Sequence, residues 1–266
     1  MNPIVRLALE EDIGTGDVTS AACVPADRMA RGRFLAREPL ILAGLDLLPE
    51  IYGVRPVFLK SNGDACAENE VIATIEAPAR LLLERERVAL NFLQRLSGVA
   101  TAARAYADAV AGTGCRVLDT RKTTPGLRAL EKQAAAAGGV TNHRMGLWDA
   151  ILIKNNHISA AGGVRAAIAA ARAASSLPIE IEVRTRGEMR EALECGARHL
   201  LLDNLTPAQA REWIGEIAGR AKVELSGGIT LENVRDYAEA GADFVSSGAI
   251  THSARAMDIS FRLELA

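Results

Sequence analysis

The sequence places two adjacent cations directly after a short apolar run, in the stretch LDTRKTTPG. The run ends at Leu118, and Asp119, Thr120, Arg121 and Lys122 follow it without a spacer. The planar fork of an arginine suits a carboxylate, and a lysine adds a compact positive charge. This pattern favours a pocket for an anion over the alternative, which is a solvated loop.

Three more basic side chains follow, two in a candidate loop and one at the end of the next candidate strand. His143 and Arg144 lie in the segment TNHRMG, and Lys154 lies near the end of the apolar run AILIKN. A hydrogen bond to a charged group contributes roughly 1.5–3 kcal/mol, so a cluster of five such cations predicts a polyanionic ligand. Lys154 has a rival role as a Schiff-base nucleophile. The cations could also form structural ion pairs with the acidic residues of later strands, Glu180, Glu182 and Glu224.

Two later segments, ELSGGIT and VSSGAIT, are near copies of each other. In each, an apolar run stops at a serine and a glycine, and a helix is expected at or after the threonine. Bare backbone N–H groups and a helix N-terminus favour a bound phosphate. We therefore predict a phosphate site, with ordinary glycine turns as the alternative. Its candidate residues are Ser226, Gly227, Gly228, Ser247, Gly248 and Ala249, with His252 as a further candidate.

Two acidic residues, Glu182 and Asp203, lie at the ends of the consecutive apolar runs IEIEV and HLLLD. Such a pair can hold a Mg²⁺ ion that is bound mainly through substrate phosphates. The pair can equally bind sugar hydroxyls or balance the charge of the lysines, and the residues alone leave these three roles open. We expect His157 and His199 to be structural.

Apart from those in the loop TNHRMG, these residues follow or end six short apolar runs, which alternate with alanine-rich segments of helical periodicity. In parallel α/β folds, the carboxyl ends of the strands carry the ligand site. Alternation turns Ile179, Ile181 and Val183 towards outer helices and turns Glu180 and Glu182 the other way. An open sheet covered by helices on both faces would accommodate that row of carboxylates poorly. We therefore predict an α/β barrel with fewer than eight strands.

The first part of the chain has a different pattern. A short helix is expected near Asn2–Glu11, strand-like pieces follow, and Ala79–Ala111 reads as one long helix. Gly98 interrupts this helix and marks a kink or a close contact. We predict an N-terminal domain of residues 1–112 and a catalytic domain of residues 113–266. The C-terminal tail is a candidate for packing on the N-terminal domain.

The composition excludes several classes of protein. The 31 basic and 33 acidic residues balance, and aromatic residues make up 4% of the chain, so a nucleic-acid partner is not expected. No apolar run approaches the roughly 20 residues of a membrane span. The four cysteines form no CxxC pair and are expected to be reduced. The N-terminal segment is acidic and lacks the apolar core of a signal peptide, so we expect a soluble, cytoplasmic protein.

Several long motifs together resemble one known family. They are LEEDIGTGDVTS, ERVALNFLQRLSGVAT, DTRKTTPGLRALEKQAAAAGGVTNHRMGLWDAILIKNNHI, LLLDN, ELSGGI and VSSGAITHSARAMDIS. In this order, from about Leu9 to Ser260, they are similar to quinolinate phosphoribosyltransferases. Asn155 is a small departure, because many relatives carry Asp or Glu there. A sister family, which resembles a molybdenum-transport accessory protein, shares the DTRK type of motif but departs from NHRMGLWDAILIKNNH.

The resemblance implies an N-terminal α/β sandwich domain, which also serves dimerisation, and an incomplete α/β barrel of six or seven strands. It implies transfer of phosphoribosyl from phosphoribosyl pyrophosphate to quinolinate with decarboxylation. The products would be nicotinate mononucleotide, pyrophosphate and CO₂, as in the de novo biosynthesis of NAD, with Mg²⁺ as the cofactor. It also implies a homodimer or higher oligomer in which Arg87 of one chain reaches the site of its partner.

The resemblance also assigns roles to individual residues. Arg121, His143 and Arg144, with Arg87 of the other chain, would hold the two carboxylates of quinolinate, and Thr120 belongs to the substrate-binding set. The two glycine turns, Ser226 to Gly228 and Ser247 to Ala249, would hold the 5-phosphate. The catalytic set is Lys122 and Lys154, between the two substrates, and Glu182 and Asp203, at the ribose hydroxyls and the Mg²⁺-pyrophosphate region. Two rival classes stay open: a Schiff-base lyase that acts on a phosphorylated sugar, and a catalytically silent anion-binding protein.

Overall fold

A computed structural model of the 266-residue chain describes residues 1–265. Its strands are β1 (Met29–Ala36), β2 (Leu40–Ile41), β3 (Val57–Phe58), β4 (Ala65–Cys66), β5 (Val71–Pro78), β6 (Arg116–Leu118), β7 (Ile151–Ile153), β8 (Ile179–Val183), β9 (His199–Asp203), β10 (Lys222–Ser226), β11 (Phe244–Ser246) and β12 (Ile259–Leu265). Its α-helices are α1 (Pro3–Ile13), α2 (Val18–Cys23), α3 (Leu48–Tyr52), α4 (Ala79–Ala109), α5 (Arg128–Ala137), α6 (Asn155–Ala161), α7 (Val164–Ala174), α8 (Arg186–Glu194), α9 (Pro207–Ile217), α10 (Val234–Ala238) and α11 (Ala249–His252). A 3-10 turn covers Leu45–Leu47.

The chain forms two compact units whose segments interleave along the sequence. The first unit contains residues 1–104, residues 124–139 and the chain from Ser253 on, and the second unit contains residues 105–123 and 140–252. The sequence predicts one boundary after residue 112, whereas α5 and the C-terminal tail both fall in the first unit. The tail belongs there because β12 pairs with β1 along its whole length.

The first unit is built on an antiparallel sheet with the strand order β12-β1-β5-β3. Phe34 of β1 anchors its core, with ring centroids 6.2 Å from Tyr52 and 4.8 Å from Phe261. Gly98 of α4 marks a close contact, because a Cβ atom there would lie 1.9 Å from the carbonyl oxygen of Arg255. The expected close contact at this glycine is therefore confirmed.

The second unit is built on a parallel sheet with the strand order β6-β11-β10-β9-β8-β7. Its first strand, β6, pairs with its last, β11, as in a closed barrel. Between β6 and β7, no strand pairing closes the ring within residues 1–265. The second unit is therefore an incomplete α/β barrel of six strands, and the predicted fold is confirmed.

Burial alone does not separate the two faces of β8, but the contacts of its glutamates do, because Glu180 pairs with His143 and Glu182 pairs with Lys154. Ile181 and Val183 of β8 are fully buried under the helices, and the intervening Glu180 and Glu182 are buried as well, at 6% and 5% exposure. These carboxylates therefore belong to the interior of the barrel, where they need polar partners. No helix among the described residues is long and apolar enough to cross a membrane.

Candidate active site

A cavity of about 460 Å³ lies at the carboxyl ends of the second unit's strands. It gathers most of the residues that the sequence proposed as a site: Thr120, Arg121, Lys122, His143, Arg144, Lys154, Glu182, Asp203, Ser226, Gly227 and Gly228. Other polar residues of its lining are Asn155, Arg184, Asn204, Glu224 and Ser246. The strand ends thus place basic, acidic and glycine-rich elements around one space.

Asp119 anchors the basic side of the cavity from behind. Its carboxylate is fully buried and accepts hydrogen bonds from Asn142 Nδ2 at 2.6 Å and from the His143 backbone N–H at 2.8 Å. The aspartate in the DTRK motif therefore fixes the loop that carries His143 and Arg144. The acidic residue of this motif thus has a structural role behind the cavity.

Two guanidinium groups share this side of the cavity. Burial lowers the pKa of Arg144, and the positive charge of the neighbouring Arg121 lowers it further. The Arg144 side chain donates to the carbonyl oxygen of Ala150 at 3.2 Å, which fixes its position. Two cations that disfavour each other's charge in a partly buried site form a favourable place for a dianion.

Lys122 is positioned through its backbone. Its N–H donates to Thr120 Oγ1 at 3.0 Å, and its carbonyl accepts from Thr251 Oγ1 at 2.7 Å. A Cβ atom at Gly248 would lie 2.8 Å from Lys122 Cδ, so this glycine makes room for the lysine stem. The side chain of Lys122 remains exposed at the mouth of the cavity.

A chain of charges joins the ends of β7, β8 and β9. Lys154 Nζ lies 3.7 Å from Glu182 Oε2, and Arg184 Nη2 lies 2.9 Å from Glu182 Oε1 and 4.0 Å from Asp203 Oδ2. The backbone N–H of Lys154 donates to His157 Nδ1 at 2.9 Å, which gives His157 the structural role expected of it. The arginine between the two carboxylates was not foreseen from the sequence.

The first glycine turn lies at the end of the cavity next to Asp203. Gly227 has φ +95°, and a Cβ atom there would lie 2.3 Å from Asn204 Oδ1. Asn204 itself has φ +58°, and its amide donates to Asp203 Oδ2 at 2.6 Å. Asn204 thus ties the acidic pair to the glycine turn, and its position after the run HLLLD was the available signal.

The second glycine turn differs from the first. The hydroxyl of Ser247 is buried and donates to the carbonyl oxygen of Ile229 at 2.7 Å, and its N–H donates to that of Leu118 at 3.2 Å. The structure therefore does not bring the Ser247 side chain to the cavity, and Gly248 and Ala249 are not lining residues either. The His252 ring packs against this turn, because a Cβ atom added at Gly248 would lie 3.0 Å from His252 Cδ2.

His143 lies on a buried acidic floor. Its Nε2 is 3.1 Å from Glu180 Oε2 and 3.5 Å from Glu224 Oε2. Burial alone would lower the pKa of His143, but these two carboxylates raise it to about 10. Burial raises the pKa of Glu224, whereas the neighbouring histidines outweigh burial and lower the pKa of Glu180. The structural ion pairs left open as an alternative are thus present: His143 pairs with Glu180 and Glu224, and Lys154 pairs with Glu182. Arg121, Lys122 and Arg144 add further positive charge to the lining of the same cavity.

Comparison with known proteins decides the family. Residues 17–97 match the model of the quinolinate phosphoribosyl transferase N-terminal domain, and residues 99–262 match that of the C-terminal domain. This chain belongs to the quinolinate phosphoribosyltransferase family.

The similarity to members of the family extends over nearly the whole chain. The chain is 40% identical over 262 residues to a probable nicotinate-nucleotide pyrophosphorylase [carboxylating] of Bacillus subtilis, covering 96% of this chain and 90% of the relative. It is 41% identical over 271 residues to the Mycobacterium leprae nicotinate-nucleotide pyrophosphorylase [carboxylating], covering 97% and 95%. The crystal structure of NadC from Streptococcus pyogenes has a TM-score of 0.94 at 37% identity, covering 99% of this chain and 96% of that one.

One residue that the family resemblance singled out, Arg87, lies in the first unit. It is exposed on α4, where its positive charge opposes the rise that burial causes in the pKa of Glu86. The role that the resemblance gives it, in a quinolinate phosphoribosyltransferase site of the partner, stays a prediction.

Proposed function

We propose that this chain transfers the phosphoribosyl group of phosphoribosyl pyrophosphate to quinolinate and decarboxylates the product. The reaction gives nicotinate mononucleotide, pyrophosphate and CO₂. The observation that carries this function is that one cavity has three chemically different parts. They are a basic side of Arg121, His143 and Arg144, an acidic pair of Glu182 and Asp203, and the glycine turn from Ser226 to Gly228. These three parts match a dicarboxylate, a ribose and a phosphate, which the two substrates supply between them.

The dicarboxylate is assigned to the basic side. Arg121, His143 and Arg144 surround a space in which a planar acid can accept several charge-assisted hydrogen bonds. Arginine forks orient a planar carboxylate, so the ring nitrogen of the acid is held towards the rest of the cavity. Lys122 and Lys154 would lie between this acid and the acidic pair.

The phosphoribosyl group is assigned to the opposite side. The backbone of Ser226, Gly227 and Gly228 offers N–H groups to a phosphate without a side chain in the way. Glu182 and Asp203 lie next to this turn and accept hydrogen bonds from ribose hydroxyls. We keep Ser247, Gly248 and Ala249 as a proposed second part of the phosphate site, through their backbone.

The residues present also fit the magnesium ion that the family implies. Glu182 and Asp203 offer the hard oxygen ligands that Mg²⁺ prefers, and too few of them to hold the ion without substrate phosphates. The Arg184 guanidinium lies against both carboxylates, so this pair already accommodates a positive charge. When bound, Mg²⁺ would stabilise negative charge on the leaving pyrophosphate.

The residues of the chain suggest an order of events. Pyrophosphate leaves C1 of the ribose with the bonding electron pair, and Glu182 and Asp203 stabilise the positive charge that develops on the ribose. The nitrogen of quinolinate then forms the bond to C1, which gives a pyridinium. The bond between C2 and its carboxylate breaks, CO₂ leaves, and the electron pair stays on C2. Lys122 or Lys154 stabilises this charge or helps to protonate C2.

We further propose a homodimer, or a higher oligomer, in which Arg87 of each chain completes the site of its partner. Its exposure on α4 and its family position support this role. We also propose a cytoplasmic location, which the four free cysteine thiols among the described residues support. Some relatives carry names that place them in chloroplasts or mitochondria.

The proposed function is tested by incubating the purified protein with quinolinate, phosphoribosyl pyrophosphate and Mg²⁺ and identifying the product by mass. We expect nicotinate mononucleotide, formed with quinolinate and not with nicotinic acid in a parallel reaction. Product from nicotinic acid alone would mean that the acceptor is wrong. Binding of quinolinate without any product would favour the silent anion-binding class.

A further inference from the structure

Four buried or half-buried side chains form a continuous row beneath the basic side of the cavity. His199 Nε2 lies 3.4 Å from Glu180 Oε1, and Glu180 Oε2 lies 3.1 Å from His143 Nε2. The same His143 nitrogen lies 3.5 Å from Glu224 Oε2. Glu180 and Glu224 are 6% and 1% exposed, so their charges have little contact with water. None of the roles proposed above uses these two carboxylates.

The hydrogen bonds of His143 assign its ring proton. The backbone N–H of Arg144 donates to His143 Nδ1 at 2.7 Å, so Nδ1 is an acceptor and the proton of this conformation is on Nε2. Nε2 then donates towards Glu180, with Glu224 as a second acceptor nearby. A histidine whose ring is held from both nitrogens has one orientation.

The same geometry couples the charge of the ring to the arrival of an anion. Two buried carboxylates beside Nε2 favour a second ring proton, which must go to Nδ1. Nδ1 now accepts from the Arg144 N–H, so the second proton enters the ligand-free ring only when that hydrogen bond breaks. A carboxylate that enters the cavity compensates for the broken bond, because it can accept from the Arg144 N–H and from a protonated Nδ1 together.

We propose that Glu180 and Glu224 are positioning residues that hold the proton on His143 Nε2 and keep the ring cationic when quinolinate binds. His143 then presents Nδ1–H to a carboxylate of the substrate. This inference rests on the proposed function for the identity of the anion, while the arrangement of the ring and the two carboxylates is independent of it.

Other charged groups lie near the His143 ring, and their effects on its protonation have opposite signs. The Asp119 carboxylate accepts from the backbone N–H of His143, and the cations of Arg144 and Arg121 lie on the cavity side. His199 faces the far oxygen of Glu180. The carboxylates of β8 and β10 are the ones that reach Nε2 of the ring, so their removal should change its protonation most.

The first test measures the ring directly in the ligand-free protein. The chain has four histidines, so nitrogen-15 NMR of histidine-labelled protein resolves them, and His143→Asn assigns the signal. We expect His143 to titrate well above its ordinary value of about 6.5, and the neutral ring at high pH to keep its proton on Nε2. In Glu180→Gln we expect the midpoint to fall by about 2 units or more, and in Glu224→Gln by less, because burial already favours the neutral form of Glu224.

A His143 that titrates at the ordinary value in the wild-type protein, or whose neutral form carries the proton on Nδ1, would overturn the proposal. The same holds if both variants fold, by circular dichroism, and leave the titration unchanged. If Glu180→Gln does not fold, Glu224→Gln and the wild-type tautomer still decide the question.

The second test connects the ring to the substrate. We expect Glu180→Gln to raise KM for quinolinate at least about twofold at pH 8, where half of its rings or fewer are cationic, and less at pH 6, where the ring regains its proton without help. KM for phosphoribosyl pyrophosphate should not change. Glu194→Gln, on the exposed surface of the same unit, is the matched control. A KM for quinolinate that does not depend on Glu180 at either pH contradicts the proposal, whereas a wild-type protein without activity would contradict the proposed function and leave the NMR result standing.

Discussion

Lys154 Nζ lies 3.7 Å from Glu182 Oε2, which pairs the residue after β7 with a buried carboxylate of β8. The two members of the pair differ in their freedom: the Lys154 side chain is half exposed, whereas that of Glu182 is 5% exposed. The lysine can therefore turn towards a substrate anion while the carboxylate stays in place. Lys154 thus connects the basic side of the cavity to the acidic pair of Glu182 and Asp203.

Replacing Lys154 should affect catalysis more than folding. We expect Lys154→Ala to lower kcat about a hundredfold or more, because it removes a cation beside the departing and developing charges. Lys154→Arg should recover part of the loss, and borohydride should not trap a substrate on Lys154. Steady-state kinetics and mass spectrometry of the protein check both points. Lys222→Ala, at the other end of the barrel strands, should leave kcat unchanged.

The two glycines of the first turn should differ when each is changed to alanine. Both have positive φ, +95° for Gly227 and +62° for Gly228, so each alanine costs about 1–2 kcal/mol of stability. Gly227→Ala also places Cβ 2.3 Å from Asn204 Oδ1, whereas Gly228→Ala meets nothing within 4 Å. We expect Gly227→Ala to have the lower Tm and the higher KM for phosphoribosyl pyrophosphate. Equal effects of the two substitutions would contradict the proposed packing of Asn204 on this turn.

Arg184 should compete with Mg²⁺ for the acidic pair. Its guanidinium contacts Glu182 at 2.9 Å and approaches Asp203 at 4.0 Å, so it already supplies positive charge there. We expect Arg184→Gln to reach half-maximal activity at a Mg²⁺ concentration several-fold lower than the wild type, since like charges disfavour each other. Arg186→Gln, whose side chain pairs with Glu212 on the outer helices, is the control. A higher Mg²⁺ requirement in Arg184→Gln would instead make Arg184 a ligand of the substrate.

The ion pair between Glu38 and Arg255 should give a stability that depends on pH. The hydrogen bond from Arg255, with that from the Asp258 N–H, lowers the pKa of Glu38 to about 2. A lowered pKa means that the stabilisation is complete above the unfolded value of about 4.3 and is lost as the pH falls towards 2. Since Arg255 is largely exposed, we expect Glu38→Gln to cost about 1 kcal/mol or less at pH 7.

Urea unfolding at pH 7 and pH 3 checks this prediction, because the difference between wild type and Glu38→Gln should shrink at the lower pH. Glu76→Gln removes an exposed pair with Arg31 and serves as the comparison. A difference that grows on acidification would contradict the assignment.

If Arg87 of one chain completes the site of its partner, two inactive variants should restore activity to each other in a mixed dimer. Arg87→Ala and Lys154→Ala should each be nearly inactive, and a mixture refolded or co-expressed should form heterodimers with one intact site. Random pairing in a symmetric dimer gives about a quarter of wild-type activity. Arg6 is exposed on α1, so Arg6→Ala is the control and should keep wild-type activity. Mixing Arg6→Ala with Lys154→Ala should give only the activity that the Arg6→Ala chains themselves supply. No recovery in mixed dimers would place Arg87 outside the partner's site.

The sequence predicts the barrel well because each strand carries its own evidence. The run HLLLD shows the apolar core of β9 and the polar end at Asp203 within five residues. The cations after β6 and β7 could be predicted to meet for the same reason, since parallel strands end at one edge. Features that depend on tertiary packing could not be predicted in this way.

Three residues illustrate that limit. The buried hydroxyl of Ser247 turns to the Ile229 carbonyl, although its motif copies the turn at Ser226. Arg184 reaches two carboxylates of neighbouring strands, which no spacing along the chain reveals. The helix α5 reads as one more helix of the barrel, but its buried Glu131 accepts from Arg95 of α4 at 2.7 Å, and it belongs to the first unit.

The most direct test of the central claim uses quinolinate labelled at the 2-carboxylate. The purified protein is incubated with it, phosphoribosyl pyrophosphate and Mg²⁺, and labelled CO₂, pyrophosphate and nicotinate mononucleotide are measured together. We predict that all three appear in equal amounts and that omission of phosphoribosyl pyrophosphate or quinolinate abolishes them. Pyrophosphate without labelled CO₂, or no turnover at all by a folded protein that binds quinolinate, would contradict the proposed reaction.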